Sequence, residues 1–422
     1  MKSATRKDRR ANLSSKTKVS STTDSSSTDP VLSRLTDLAH GRTFSFGEHS
    51  TESGERVPVA TGEFWTSKQR TGNPLHELSY RACFKPQLPA LFIEALTRPG
   101  GHVLDPFGGR GTTALEAHLR GRRATSSDLN PLSAILLKPR INPPSLVEIE
   151  TALSALPEHF AGDLPEELLT FYHPKTLETL CAWRAYWIER GDKLTPAENW
   201  IRMVATNRLT GHSPGFFSVY TMPPNQAVSV ASQTKINQRR NQTPPFREVK
   251  ALVLRKSRQL LKSYQKPTTQ QLSQALVASA DHISSLEDNS VDLVVTSPPF
   301  LNVVDYDGDN WLRNWFNGLP SQSGLWVTPS VSEWQALMTK ALREMHRVLR
   351  SNGYVAFEVG EVRKATIPLE EQVINAGKAA GLRPIGILVH AQNFTKTAHC
   401  WGIDNNAKGT NTQRISLFQK RP

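Results

Sequence analysis

Four consecutive residues, Ser297-Pro298-Pro299-Phe300, are the best candidates for chemistry, and they end the stretch Val291–Phe300, an apolar run that stops at two prolines. The branched side chains of that run, bounded by proline, predict a buried strand of a parallel sheet. Ligands of open α/β sheets bind beyond the carboxyl ends of the strands, where these four residues would lie. The Ser297 hydroxyl and a proline carbonyl could each accept one N–H of a nucleobase amino group, and Phe300 could stack on the base. A strand-terminating Pro-Pro turn without chemistry is the alternative.

A glycine-rich turn within His102–Thr113 is the second candidate site, between a predicted strand and a predicted helix. Its glycines let the backbone approach a ligand closely, and the helix start at Thr112 offers free N–H groups to a carboxylate. The spacing does not fit a Walker loop and does not strongly fit the dinucleotide fingerprint. Asp105 can bind an ammonium, and Asp128, at the end of the next predicted strand, suits a ribose diol. A ligand with a carboxylate, an ammonium, a ribose and an adenine is S-adenosylmethionine, which we expect as the cofactor.

The segment before this turn is predicted to close one side of the cofactor pocket. Pro89–Leu96 has the pattern of a helix that opens with proline. Phe84 and Lys85 would then lie at the mouth of the pocket. Ordinary core packing is the alternative role for Phe84.

The charge of the chain indicates a polyanionic partner. Its 422 residues include 51 Lys and Arg against 38 Asp and Glu, a formal net charge of +13, which favours nucleic acid. We expect a cytoplasmic protein, because neither a long apolar run nor the apolar core of a secretory signal is present. Three scattered cysteines, Cys83, Cys181 and Cys400, predict neither disulfides nor a zinc site.

Two motifs together resemble those of the amino-group DNA methyltransferases: Asp-Pro-Phe-x-Gly-x-Gly-Thr-Thr at 105–113 and Thr-Ser-Pro-Pro-Phe at 296–300. The Ser-Pro-Pro form resembles the cytosine-N4 branch of bacterial and phage modification systems. The resemblance, from about Phe64 to Arg414, implies a doubly wound, Rossmann-like α/β methyltransferase fold with a large, mainly helical insertion. It also implies double-stranded DNA as substrate, base flipping and direct in-line methyl transfer without a metal. The resemblance further implies a protein of a bacterial or phage-infected cell that associates with the nucleoid. It also implies a cognate restriction endonuclease that acts separately.

The resemblance also assigns roles to individual residues. The residues that match the cofactor site are Asp105, Phe107, Gly109, Gly111, Asp128 and, near the adenine, Asp281. The residues that match the catalytic motif are Ser297, Pro298, Pro299 and Phe300. Arg110 departs from the small residue common at its position, and the spacer between Asp128 and Asp281 is longer than in compact relatives.

The chain divides into four predicted parts: a disordered basic tail (1–45), the first part of the methyltransferase domain (46–142), a DNA-recognition insertion (143–274) and the second part of the domain (275–422). The tail is rich in Ser and Thr and nearly empty of large apolar side chains, so it cannot bury enough surface to become ordered. Two interpretations of the tail remain open: it is simply solvated, or it is a basic arm that contacts the phosphates of a nucleic acid.

Within the insertion, Leu146–Leu156 and Pro174–Arg190 have helical apolar spacing. Asn207–Tyr220 interleaves aromatic side chains, glycines and polar donors as a nucleic-acid surface would. Residues 225–266 contain ten Lys or Arg and one acid, Glu248, a ratio that favours phosphate contacts over a solvated helix face. The candidate DNA-binding residues are Lys235, Arg239, Arg240, Arg255, Lys256 and Arg258.

The chain after the catalytic motif continues the alternation of helix and strand. The predicted elements are a helix at Ser332–Leu349, a strand at Gly353–Val359, a helix at Leu369–Ala380 and strands at Pro384–Val389 and Ile415–Phe418. Asp307-Gly308-Asp309 is interpreted as a turn. The polar loop Phe394–Arg414 would, by the resemblance, supply a wall of the base pocket.

Three alternative functions remain open. Adenine-N6 methylation uses the same geometry, although Asp or Asn more often occupies the position of Ser297. RNA methylation is the second alternative, and a catalytically silent DNA-binding relative is the third. A cytosine-C5 enzyme would need a cysteine nucleophile after a proline, and none of the three cysteines follows one.

Overall fold

The structure is a computed structural model that describes residues 29–39, 43–51, 54–65, 72–81, 83–222, 226–265, 273–299, 305–320, 328–359, 369–391 and 412–422. The strands of the described chain are β1 (Ser45–Ser50), β2 (Arg56–Gly62), β3 (His102–Asp105), β4 (Arg123–Asp128), β5 (Gln274–Val277), β6 (Val291–Thr296), β7 (Leu349–Val359), β8 (Arg383–Ala391) and β9 (Thr412–Gln419). The first helices are α1 (Pro30–Leu38), α2 (Gln87–Leu96), α3 (Thr112–Leu119), α4 (Pro131–Ile141), α5 (Leu146–Ala155) and α6 (Pro174–Arg190). The others are α7 (Pro196–Thr206), α8 (Val230–Arg240), α9 (Val249–Leu261), α10 (Tyr306–Asn317), α11 (Val331–Val348) and α12 (Glu370–Ala379).

These strands form one sheet in the order β1-β2-β8-β9-β7-β6-β3-β4-β5. The strands β5, β4, β3, β6 and β7 are parallel to one another, whereas β9 runs antiparallel between β7 and β8. Parallel strands end at the same edge of a sheet, so the carboxyl ends of β3, β4 and β6 meet there.

Helices cover both faces of the sheet, as the alternating side chains of its strands show. Val103 packs in one buried cluster with helices α2, α3 and α4. Its neighbour Leu104 packs in a second cluster with α11 and α12, because successive strand residues point to opposite faces. Apolar contacts on both faces define a doubly wound, Rossmann-like α/β fold, which confirms the predicted fold class.

The predicted insertion is helical in its described part and shares the core of the first face. Its helices begin with clear caps: α5 and α7 each open with a capping box, at Ser145 with Glu148 and at Thr195 with Glu198. Trp183 and Trp200 are completely buried in the same cluster as α2, α3 and α4. The insertion is therefore packed against the helices of the first sheet face.

Three expectations about elements need correction. Residues 30–38 of the predicted disordered tail form α1, whose Leu32 and Leu35 are fully buried; residues 1–28 lie outside the described residues. Strands β1 and β2 were not predicted, because β1 is an exposed edge strand without the alternation of a half-buried strand. The predicted turn at Asp307-Gly308-Asp309 is the first turn of α10, which Asp305 caps at the Gly308 N–H.

The described chain offers neither a membrane span nor a metal cluster. No described helix is both long and apolar enough to cross a membrane. The described residues contain no cluster of three His, Cys, Asp or Glu side chains that could hold a metal. Cys83 and Cys181 are free thiols, while Cys400 lies outside the described part of the chain.

Candidate functional site

A cleft of about 830 Å³, the open space at its mouth included, lies at the carboxyl ends of β3, β4 and β6. Eight predicted site residues line it: Phe84, Asp105, Phe107, Gly109, Thr112, Asp128, Ser297 and Pro299. The two motifs, far apart in sequence, therefore share one cavity. Its lining also includes residues that sequence reasoning missed, among them Tyr80, Leu129, Ala280 and Tyr306.

Asp105 ends β3 and connects the glycine-rich loop to β6. Its Oδ1 accepts hydrogen bonds from the Thr296 hydroxyl at 2.6 Å and from the Phe107 N–H at 3.2 Å. Its side chain is only 1 % exposed, and this burial raises the pKa of Asp105 to about 6. An ammonium placed beside this carboxylate would favour its ionised form, so the site is suited to a cation.

Asp128 ends β4 and is held by the backbone on both carboxylate oxygens. Oδ2 accepts the Gly109 N–H at 2.7 Å, and Oδ1 accepts the Asn130 N–H at 2.8 Å. These bonds fix the carboxylate at the wall of the cleft, and each oxygen keeps acceptor capacity for a ligand. Burial raises the pKa of Asp128 above its ordinary value.

Gly111 does not line the cleft. It precedes α3 with φ +78°, and a Cβ on it would lie 2.7 Å from Leu137 Cδ1. Glycine is thus required there for a left-handed turn and for close packing of α3 on α4. Its part in cofactor binding stays a prediction, and the shape that it gives the loop is the contribution seen here.

Arg110, whose role the sequence left open, stabilises the wall of the cleft through hydrogen bonds. Its guanidinium donates to the carbonyls of Leu78 at 2.8 Å and Phe84 at 3.3 Å, and to the Thr112 hydroxyl at 3.0 Å. Arg140, completely buried, donates in turn to the carbonyls of Arg110 and Leu75. Both cations are satisfied by backbone oxygens, which hold the segment bearing Phe84 against the cofactor loop.

The Ser-Pro-Pro turn follows β6, as predicted. Ser297 and Pro299 line the cleft, whereas Pro298 is buried and Phe300 lies outside the described residues. The Pro299 carbonyl accepts a hydrogen bond from Trp334 Nε1 on α11 at 2.9 Å. Sequence reasoning missed this anchor, which fixes the Pro299 carbonyl while leaving its second lone pair for a substrate.

Glu358 on β7 is a second residue that sequence reasoning missed. It is 6 % exposed and follows Phe357, the strand partner of Thr296, so it is a neighbour of Ser297 across β6 and β7. Burial raises its pKa, and the Ser297 and Gln413 side chains oppose that rise. The sequence does contain a signal that could have identified Glu358, because it is a single acid within the otherwise apolar run Tyr354–Val359.

Asp281 lies beside the cleft but does not line it. The Ser279 hydroxyl donates to its Oδ1 at 2.5 Å, and its neighbour Ala280 is the residue that reaches the cavity. The other oxygen of the Asp281 carboxylate keeps acceptor capacity for a ligand.

Five of the six candidate DNA-binding cations are exposed: Lys235, Arg239, Arg240, Arg255 and Arg258. Arg240 lies over the Tyr220 ring at 3.8 Å, and Arg258 is paired with Glu150 at 2.7 Å. Lys256 is different, because it is 5 % exposed and its Nζ lies 2.9 Å from Glu77. The prediction that Lys256 contacts phosphates is therefore wrong in this structure.

The aromatic segment Asn207–Tyr220 is mostly core rather than surface. Phe216 and Phe217 are 5 % and 0 % exposed, and Arg208 covers the Phe216 ring at 4.2 Å. Only His212, Ser213 and Pro214 are exposed in this segment. The interpretation of its aromatic side chains as a nucleic-acid surface is therefore wrong.

Comparison with solved structures gives matches of low geometric similarity. A TehB-like SAM-dependent methyltransferase from Corynebacterium glutamicum is 10 % identical, with 79 % of this chain and 87 % of that chain covered and a TM-score of 0.31. TrmN from Thermus thermophilus is 14 % identical, with 81 % and 50 % covered and a TM-score of 0.29. A candidate DNA modification methylase, also from Thermus thermophilus and complexed with S-adenosyl-L-methionine, is 22 % identical, with 33 % and 51 % covered and a TM-score of 0.21. This chain thus spans about half the length of the last two proteins, and similarity this low assigns no function.

Comparison with curated proteins gave no match. A family model described as DNA methylase, whose name covers both N6 and N4 methylation, matches residues 15–135. The match includes Asp105, Asp128 and the loop between them, and it ends before the insertion and the Ser-Pro-Pro turn. Over the part of the chain that carries the cofactor loop, this protein is similar to DNA methylases.

Proposed function

We propose that this chain is an S-adenosylmethionine-dependent methyltransferase that modifies the N4 amino group of cytosine in duplex DNA. The observation that carries the proposal is the shared cleft: Asp105, Asp128 and Ser297 line one cavity. The Thr296–Asp105 hydrogen bond, at 2.6 Å, ties the loop that would hold the cofactor to the strand that would present the base. A methyl donor and its acceptor would therefore meet in one rigid site.

The cleft fits the proposed cofactor in chemistry. Asp105 suits the ammonium, Asp128 the ribose hydroxyls, and the first N–H groups of α3 the carboxylate. Phe107 and Leu129 in the lining offer apolar surface to the adenine.

The Ser-Pro-Pro turn suits an amine acceptor. The amino group of cytosine donates two N–H bonds, and its lone pair is delocalised into the ring. The Ser297 oxygen and a proline carbonyl of the turn would each accept one N–H and so localise the lone pair on nitrogen. The Trp334 bond to the Pro299 carbonyl holds this turn in place.

Methyl transfer would then need no covalent intermediate with the protein. Bound S-adenosylmethionine would supply a strongly electrophilic methyl group on a sulfonium and leave as S-adenosylhomocysteine. Ser297 and a proline carbonyl of the turn would hold the nitrogen in line with that methyl carbon while the N–C bond forms and the S–C bond breaks, and the nitrogen then releases one proton to water. The base must be flipped out of the duplex to reach the cleft, at a cost of a few kcal/mol.

Serine at position 297 is the reason to prefer cytosine N4 over adenine N6, since the remainder of the geometry suits both bases. Duplex DNA is preferred over RNA because the chain is similar to DNA methylases at residues 15–135. A cognate restriction endonuclease and a nucleoid location remain part of the proposal by resemblance.

We assign DNA recognition to residues 143–274, with the exposed cations of α8 and α9 as phosphate contacts. Lys235, Arg239 and Arg240 lie on α8, and Arg255 lies on α9. No ion pair is recorded for these four within the described chain, so they can bind phosphates without losing an acidic partner.

Replacing Lys235, Arg239, Arg240 and Arg255 together with alanine is expected to weaken binding to all DNA duplexes alike. Each lost phosphate contact should flatten the slope of log K against log salt by about 0.9. Fluorescence anisotropy at several salt concentrations measures that slope. The control replaces four exposed cations that lie at or near the amino-terminal ends of the parallel strands, at the end of the sheet opposite the cleft. These cations are Arg350, Lys378, Arg383 and Arg421. Equal slopes for the two variants would remove α8 and α9 from the DNA interface.

Transfer of labelled methyl groups tests the proposed function. The full chain would be incubated with methyl-labelled S-adenosylmethionine and with DNA from a host that lacks this chain, or with RNA. We expect label in the DNA. Label in RNA alone would assign the substrate to RNA, and cofactor binding without any transfer would support the catalytically silent alternative.

A further inference from the structure

We propose that Glu358 is a positioning residue for methyl transfer, which accepts the hydroxyl hydrogen of Ser297 and thereby presents the Ser297 oxygen to the substrate amine as an acceptor. This inference rests on the proposed function and deepens it. It adds a carboxylate from a neighbouring strand to the Ser-Pro-Pro turn.

The sheet register places the two side chains together. Strands β6 and β7 are parallel, and Val295 pairs with Ala356 and Thr296 with Phe357. The next residues along each strand are Ser297 and Glu358, so their side chains are neighbours across the two strands, and Ser297 contributes to lowering the pKa of Glu358. Glu358 is therefore adjacent to a residue that lines the cleft.

A second strand supports the carboxylate from the other side. Gln413 on β9 donates its Nε2–H to Glu358 Oε1 at 3.4 Å, and β9 lies directly beside β7. The neighbouring residues of β7, Val355, Ala356, Phe357 and Val359, are completely buried and apolar. A carboxylate in such a strand is costly for folding, and a part in the reaction would explain why the position is acidic.

The chemistry of a hydroxyl explains why Ser297 needs such a partner. A serine hydroxyl can donate or accept, whereas the amino group of a base only donates. A hydroxyl hydrogen that pointed into the cleft would oppose the amine. Once Glu358 holds that hydrogen, the lone pairs of the Ser297 oxygen are left for the substrate N–H. A charged acceptor also makes the Ser297 oxygen a stronger acceptor, because linked hydrogen bonds polarise one another.

The test compares Glu358→Gln with the native chain and with the same change in a Ser297→Ala background. A glutamine is neutral and can place an N–H toward Ser297, so we expect turnover to fall about tenfold, as a charged hydrogen-bond partner is exchanged for a neutral one. Cofactor and DNA affinity should change less than twofold. In the Ser297→Ala background, Glu358→Gln should have no further effect on turnover, because Glu358 acts through the Ser297 hydroxyl.

Glu344→Gln is the matched control, because Glu344 is also buried, at 7 % exposed, accepts the Ile283 N–H at 2.7 Å and does not line the cleft. Its turnover should match that of the native chain. An equal loss from Glu358→Gln with and without the Ser297 hydroxyl would overturn the inference, as would unchanged turnover. If Glu358→Gln shows no cooperative thermal unfolding, Gln413→Ala is tested in its place. Its effect on turnover is then compared between the native chain and the Ser297→Ala background. A native chain that methylates no nucleic acid at all would instead overturn the proposed function, and this inference with it.

Discussion

Asp105→Asn is expected to weaken S-adenosylmethionine binding by about ten- to a hundredfold and to leave the fold intact. Asparagine can still accept the Thr296 hydroxyl and the Phe107 N–H, which bond to Asp105 Oδ1 in the native chain. What it loses is the charge that would face the cofactor ammonium, and a charge-assisted hydrogen bond contributes about 1.5–3 kcal/mol. Isothermal titration calorimetry measures the affinity, and thermal unfolding checks the fold.

The same carboxylate should make cofactor binding depend on pH. Burial raises the pKa of Asp105 to about 6, so the free protein protonates it below that pH and loses the anion. Affinity should therefore fall about tenfold per pH unit below about 6 in the native chain. The dependence of affinity on pH should be weaker in Asp105→Asn. Some dependence should remain, because Asp128 also has a raised pKa.

Asp292→Asn serves as the control for both measurements. Asp292 lies at the opposite edge of the sheet, where it accepts the His102 N–H and pairs with Arg350. It should bind the cofactor as the native chain does. Unchanged affinity in Asp105→Asn would place the ammonium elsewhere in the cleft.

Ser297→Ala should lower the methyl-transfer rate by about a hundredfold, the usual cost of removing one polar group that stabilises a transition state. Binding of cofactor and DNA should change little, because the bond from the amine strengthens as its lone pair becomes localised on nitrogen. Single-turnover kinetics separates this rate from binding. Ser290→Ala, at the opposite end of β6, is the control. Equal loss of affinity and rate in Ser297→Ala would make Ser297 a binding residue only.

Sequence periodicity predicted most of the fold because the sheet strands and their crossover helices carry strong apolar patterns. The strand Val291–Thr296 and the helices Leu146–Ala155 and Pro174–Arg190 lie where those patterns placed them. The cofactor loop was also predictable, since its glycines and flanking acids are adjacent in sequence. The edge strand β1 was not, because nothing buries its faces.

The errors and omissions have two physical causes. Lys256 was counted as a surface cation, yet with Val249, Val253 and Leu260 it occupies one buried face of α9; the spacing i, i+4, i+7, i+11 could have revealed this. Trp334 and Glu358 were missed because they reach the site through tertiary contacts. Trp334 binds a carbonyl 35 residues earlier in the chain, and Glu358 meets Ser297 through sheet register. Short sequence motifs do not record such pairings.

The identity of the methylated nucleoside tests the central claim most directly. DNA from a host lacking this chain would be methylated in vitro by the purified protein, digested to nucleosides and analysed by mass spectrometry, with Ser297→Ala as the negative control. We expect N4-methylcytosine in the sample treated with the native chain and strongly reduced amounts with the variant. N6-methyladenine without N4-methylcytosine would contradict the assignment of the base.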